Sequence, residues 1–260
     1  MYSRLRCLVM LFLMFGLSGL NAQNTLDEIR LFQTFFKDAP IANVPYGQAG
    51  LQFSDYDGFS SISLGAKGGY VINPELEVGG SINFVNWSPE KGDSQSGISD
   101  LLVTGRYLVL APGKSKLVAT TGGYITLPIG KKEIGASKLN FGAFGAARFP
   151  LDNGFVITGC LGLDFLETTK YETDFTKGKI EEKTEHEFSL LLGAGGIYPL
   201  NEQLHIIGEL NIQTEGDYML LSGGVDYKLQ MGSRVRAALG LGLDDGAPDI
   251  KLMAGFLHSF

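Results

Sequence analysis

Residues 59–72 read FSSISLGAKGGYVI, and their two faces separate at a period of two. Ile62, Leu64, Ala66, Gly68, Tyr70 and Ile72 share one side, whereas Ser61, Ser63, Gly65, Lys67 and Gly69 share the other. Successive side chains of a strand point to opposite faces, so this is a half-apolar strand. A helix, at 3.6 residues per turn, would scatter the same residues. The pattern returns at 204–213 (LHIIGELNIQ), 217–230 and 234–244, with His205, Glu209, Asp226, Lys228, Arg234 and Arg236 each on the less apolar face.

The breaks between such segments alternate in length. Tight ones fall at 73–75, 112–115, 152–154, 201–203 and 231–233; longer polar ones fall at 54–58, 88–96, 131–137, 167–184, 214–216 and 244–249. Short turns on one side, longer loops on the other and alternating faces predict an all-β fold: a transmembrane antiparallel up-and-down β-barrel of about 12 strands. An even strand count puts both termini on the periplasmic side, and closure gives every edge group a backbone partner that hydrocarbon cannot offer. Aromatics expected on the outer face fall at two heights. Tyr70, Phe149, Phe155, Tyr198, Tyr227 and Phe260 lie near tight turns, and Phe53, Phe84, Phe141, Phe165 and Phe188 lie near the longer loops. Two such girdles suit the interfaces of a bilayer, so outer-membrane lipid is an expected partner.

The first 23 residues carry Arg4 and Arg6, an apolar run from Cys7 to Leu20 and a small Ala22 before the expected cut, which reads as a cleaved signal peptide of a Gram-negative bacterium. The apolar run is short of the roughly 20 residues a spanning helix needs. Composition agrees with a folded exported protein: 36 Gly, 11% aromatic and 19% charged residues, with no Gly-X-Y period. A formal net charge of −7 without a basic cluster sets nucleic acid aside. Once the leader is removed, Cys160 is the only thiol, so no intramolecular disulfide is expected.

The last strand, Ile250 to Phe260, ends on an aromatic residue and resembles the signal read by the outer-membrane assembly machinery, with His258 where a hydrophobic residue is usual. A second resemblance lies in the middle of the chain. Gly97-Ile98-Ser99-Asp100-Leu101, followed by Arg106-Tyr107 and the turn at Pro112-Gly113, resembles a strand of the outer-membrane barrel family named for the MetA pathway of phenol degradation. Gly123 to Gly130 (GYITLPIG) resembles the next strand of that family, with Ile129 where Thr is usual. The resemblance implies a barrel of this size and a transport role for small, often apolar or aromatic compounds. It brings no functional residues with it.

The expected inward face supplies the pore-lining candidates Lys67, Asp100, Arg106, Arg148, Asp164, Glu187, His205, Glu209, Asp226, Lys228, Arg234 and Arg236, joined by Lys138 and Lys251. Both signs are present, so these side chains either line a narrow pore or bridge it. Thr25 to Asp38 differs from everything after it. Thr25 and Glu28 fit a capping box, and Leu26, Ile29, Phe32, Phe35 and Phe36 recur near helical spacing until Pro40 and Pro45. Such a segment either plugs the lumen or lies in the membrane interface. The expected organisation is therefore a leader at 1–23, a helical or irregular periplasmic or plugging segment at 24–45 and a barrel at 46–260.

No catalytic residue is expected. None of His186, His205 and His258 has Ser two positions on, as base-activated serine on one strand face requires, and three scattered histidines make no metal spacing. No cofactor is expected either. The sequence reads as a monomeric, passive outer-membrane channel for an unidentified small solute; the alternative is a non-conducting structural or surface-interaction barrel, with the loop at 167–184 meeting partners.

Overall fold

A computed structural model of the protein describes residues 29–111, 116–132, 134–135, 138–174, 179–230 and 232–260. The leader at 1–23, the pair Thr25 and Glu28, and Leu26 lie outside the described residues. Thirteen strands follow in antiparallel order: β1 (Tyr46–Tyr56), β2 (Phe59–Asn73), β3 (Leu76–Pro89), β4 (Gln95–Ile98), β5 (Leu101–Leu110), β6 (Val118–Leu127), β7 (Asn140–Pro150), β8 (Val156–Asp174), β9 (Lys179–Pro199), β10 (Leu204–Gln213), β11 (Tyr218–Lys228), β12 (Ser233–Gly242) and β13 (Ile250–Ser259). Successive strands pair with one another except β4 and β5, and β1 pairs with both β2 and β13, which closes the wall. β4 and β5 both lie on β3, one beside Phe84 to Trp87 and the other beside Leu76 to Ser81. They are one interrupted stave, so the closed barrel has 12.

The period of two survives in three dimensions. Along β2, Ile62, Leu64, Tyr70 and Ile72 are exposed on the outer wall, as are Phe84, Phe141, Phe165, Phe188, Tyr227 and Phe260 on theirs. Phe141 stacks on Phe165, with ring centres 5.1 Å apart, and Phe165 meets Phe188 edge-on at 5.6 Å. An outer wall this apolar is suited to lipid. At the turn end, Lys116 and Asp152 tie two neighbouring connections together, and that hydrogen bond holds the Asp152 carboxyl below its ordinary range.

Two loop expectations are corrected. Residues 54–58 were expected to connect two strands by a longer loop, but β1 and β2 pair up to Tyr56 and Phe59, leaving Asp57 and Gly58 as the turn. Gly58 takes φ +85°, which glycine adopts at little cost. Most of 167–184 is strand: β8 and β9 remain paired out to Asp174 and Lys179. Its polar Glu and Lys composition hid a two-stranded ribbon, whose backbone pairing requires no apolar face beyond the membrane.

Buried apolar residues sit between the wall and residues 29–45, which thread the lumen. Ile29, Leu31 and Phe32 pack on Val156, Ile197, Ile207 and Ala238. Ala39 packs with Val118, Phe144 and Leu191, while Phe35 and Phe36 pack with Tyr46 and Leu257. Glycines in the wall admit this chain. A Cβ on Gly79 would come within 2.7 Å of the Phe36 ring, and one on Gly224 would meet Phe32 at 2.7 Å and press on the Ala237 carbonyl oxygen. Overpacking of this kind costs about 1–3 kcal/mol. Gly224→Val should therefore lower by several degrees the temperature at which the folded barrel loses its compact gel mobility. Gly223→Ala, whose Cβ would meet nothing nearer than 4.0 Å, should leave it unchanged. Equal mobility curves for both variants would remove Phe32 from that seat.

Candidate functional site

Residues 29–45 contain bends and turns but no helix. The helical spacing of Ile29, Phe32, Phe35 and Phe36 is therefore corrected for the described part of the segment. The reason lies in where its backbone groups bond. Glu209, on β10, accepts hydrogen bonds from three successive amides, those of Phe32, Gln33 (3.1 Å) and Thr34 (3.4 Å). This is a backbone nest closed on a carboxylate. The carbonyl oxygens are taken by cations and a hydroxyl: Ile29 by Arg148 (2.7 Å), Arg30 by Arg236, Asp38 by Arg106 (3.0 Å) and Ala39 by Thr120. Groups that a helix would pair internally are paired to the wall instead.

Three buried carboxylates organise the cations. Asp38 of the segment receives a two-pronged bond from Arg148, with Nε at 2.8 Å, and a hydrogen bond from Thr158 Oγ1 at 3.3 Å. Glu77 on β3 accepts from Tyr46 OH (2.6 Å), from the Ala42 amide (2.9 Å), from Arg30 (3.3 Å) and from Arg106. Asp226 on β11 lies between Arg234 Nε at 2.5 Å and Arg236 Nε at 2.7 Å. The Arg236 guanidinium also lies 4.5 Å from the centre of the Phe32 ring. Both Arg–carboxylate geometry and guanidinium stacking favour arginine over lysine at such places.

The expected lining residues thus divide. Arg106, Arg148, His205, Glu209, Asp226, Arg234 and Arg236 all face inward and are buried against or beside the segment. Asp164 receives a bond from Lys37 of the segment at 3.3 Å, and Lys67 lies 4.1 Å from the centre of the Phe35 ring. Glu187 and Lys228 occupy lumen-side positions of β9 and β11 and are only partly buried. Asp100 is not on a strand: it occupies the break between β4 and β5, and its carboxylate accepts a bond from the Gly130 amide at 3.0 Å, anchoring the β6–β7 connection. Lys138, in that same connection, pairs with Glu167 at 3.2 Å.

Sequence reasoning missed Arg30, Lys37, Asp38 and Glu77. Glu77 stands beside a tight turn and looked like part of it, though its parity with Gly79 and Ser81 marks it as inward. The three in the segment stand among apolar residues whose spacing is the stronger local signal. Of the histidines, His258 forms a cross-strand pair with Ser233 Oγ at 2.9 Å on the outer wall and meets Phe260 edge-on. Among the described residues, no three of His, Cys, Asp or Glu gather as metal ligands.

The wall that carries these residues has known counterparts. The family model described as "Putative MetA-pathway of phenol degradation" matches residues 47–260. No curated protein sequence matches the chain. Among solved structures, an outer membrane channel from Pseudomonas putida F1 is similar with a TM-score of 0.70 at 14% identity, covering 86% of this chain and 98% of that one. The KdgM porin in complex with disordered oligogalacturonate gives 0.53 at 11% identity, covering 82% and 99%. The β domain of the Bordetella autotransporter BrkA gives 0.52 at 15%, covering 85% and 100%. At these identities the likeness is one of fold.

Breaking a buried ion pair on one side costs about 3–5 kcal/mol, because the remaining charge stays buried without its partner. Asp38→Asn should therefore loosen the segment while the paired wall stays intact. The measurement is limited proteolysis of the folded protein, with cleavage within 29–45 expected to rise at least tenfold over the parent. Unchanged protection would mean that Asp38 does not hold the segment in place.

Proposed function

The chain belongs to the outer-membrane barrel family that its residues 47–260 match, and we propose that it is an outer-membrane channel for a small solute, closed at rest by its own residues 29–45. One observation carries this reading: the lumen is occupied by a segment whose backbone is held mainly by side chains of the wall rather than by strand pairing. Such a segment can leave without unzipping the barrel. A channel of similar fold lends support, since that protein is named an outer membrane channel.

The proposed mechanism is passive. A solute enters from the loop end, the segment shifts or withdraws, and the inward charges act as a filter, with Arg106, Arg148 and Glu209 freed from the segment and Asp226 beside them. Arg234 and Arg236 then line the opened path. The same charges argue for small, single solutes rather than polymers, because both signs line one narrow lumen. A family named for phenol degradation supports an aromatic or apolar solute. We further take the barrel to be a monomer, delivered to the membrane through its final strand ending at Phe260, and without covalent chemistry.

The dense ion pairing favours a second reading, a barrel permanently closed by its own interior. Single-channel current in a planar bilayer separates the two, with heat-dependent gel mobility as the folding control. The parent protein should give rare, small openings, and a variant lacking Asn24 to Pro45 should give steady currents several-fold larger. Silence from both folded proteins would overturn the channel reading in favour of the closed barrel.

A further inference from the structure

The segment does not fill the whole lumen. Against β1, β2, β3 and β13 it leaves a chamber of about 260 Å³, walled on its inner side by Phe32 and Gln33. Three cations line it, Lys67, Arg236 and Lys251, and no Asp or Glu does. Two lumen acids are already engaged: Glu209 by the three backbone amides of the segment, and Asp226 by Arg234 and Arg236. Lys251 donates to a neutral amide, Gln33 Oε1, at 3.1 Å, and Lys67 faces the Phe35 ring. Arg236 is answered by Asp226, but among the described residues Lys67 and Lys251 have no carboxylate in ion-pair contact; buried positive charge so placed is unfavourable, and an anionic ligand relieves that cost.

The chamber also offers neutral donors and room around them. Gln48 turns its Oε1 to Arg236 at 3.0 Å. Its Nε2 lies over two glycines, and a Cβ on Gly255 would sit 2.9 Å from it. Beyond the chamber, on the same inward rows of β1, β2 and β3, Tyr56 stacks on Phe59 at 4.4 Å and Phe59 meets Trp87 at 5.4 Å. Phe32 and Met253 add apolar wall inside. A ligand suited to this sequence of surfaces has an acidic head and a small apolar body.

Resting on the channel reading above, we propose that this chamber is a binding site for a small organic carboxylate with an apolar or aromatic body, its carboxylate held by Lys67 and Lys251. Neutral aromatics of the same size would bind the walls but leave both cations unanswered. The volume, slightly below the roughly 300–1,000 Å³ of ordinary ligand pockets, limits the body to about one ring.

Calorimetric titration of the full-length folded protein in detergent tests the site, with benzoate, benzyl alcohol and benzylammonium as probes of one shape and three charges. Benzoate should bind saturably at one site, at least about tenfold more tightly than either other probe, the scale of one charge-assisted contact. The double variant Lys67→Gln, Lys251→Gln should lose at least that factor, and Ser63→Leu, which fills the chamber from β2 without removing a charge, should abolish binding. Lys91→Gln, on an exposed loop, should change nothing. Benzyl alcohol binding as well as benzoate, a double variant that retains benzoate, or absence of saturable benzoate binding to the parent would each overturn the proposal. The parent comparison stands even where a variant fails to fold. A protein that conducts yet ignores benzoate would sink this site and leave the channel; one that binds benzoate yet stays silent in the bilayer without residues 24–45 would do the reverse.

Discussion

Everything inside this barrel follows from the width of its wall. About eight strands leave an interior that side chains can fill, and 16 or more leave an open aqueous channel. Twelve fall between, too wide for the inward residues to meet and too narrow for bulk water throughout. The N-terminal segment takes up that space. It is short of regular structure, so its amides and carbonyls need partners that it cannot supply to itself. Glu209 answers three amides, and Arg106, Arg148, Arg236 and Thr120 answer four carbonyls. The charges of the lumen are therefore matched to a backbone as much as to one another.

That arrangement sets how tightly the interior is held. Buried ion pairs give up hydration, and their Coulomb attraction mainly offsets that loss, so Asp38–Arg148 and Glu77–Arg106 are better regarded as position-fixing than as sources of large net stability. Apolar burial of Ile29, Leu31, Phe32, Phe35 and Phe36 supplies the complementary term. A segment retained by polar bonds over a small apolar footing is separable from its wall, whereas the twelve staves, joined edge to edge by backbone pairing, are not.

The period of two in residues 59–72 and 204–213 was enough to establish the wall, because a one-residue error of parity would put Lys67 or Glu209 into lipid. Closure and strand number followed from turn spacing. The interior was harder. Parity identified Arg148 and Glu209 as inward but not their partners, since Asp38 lies 110 residues from Arg148 in the chain and no local pattern links them. Helical spacing in the segment misled because spacing records only which side chains are apolar. Three amides bound to Glu209 decide the backbone there, and that bond is tertiary. Asp100 misled for the opposite reason: its position in a strand-like run concealed an interruption, visible only through the register of β4 and β5 on β3.

The remaining asymmetry lies in where the segment's partners stand. Its backbone bonds come from β3, β5, β6, β7, β10 and β12, so the chain is drawn toward those staves. Between β3 and β12 in the closed wall, β2, β1 and β13 contribute glycine, serine and glutamine together with Lys67 and Lys251, and the chamber opens there. Had those two lysines served only to pin the segment, carbonyl or carboxylate oxygens of residues 29–45 would be their natural partners, as they are for the arginines. One lysine instead bonds a side-chain amide and the other lies over a ring. In the wall, Arg106, Arg148 and Arg236 thus hold the segment's backbone, while Lys67 and Lys251 meet only its side chains and border the chamber.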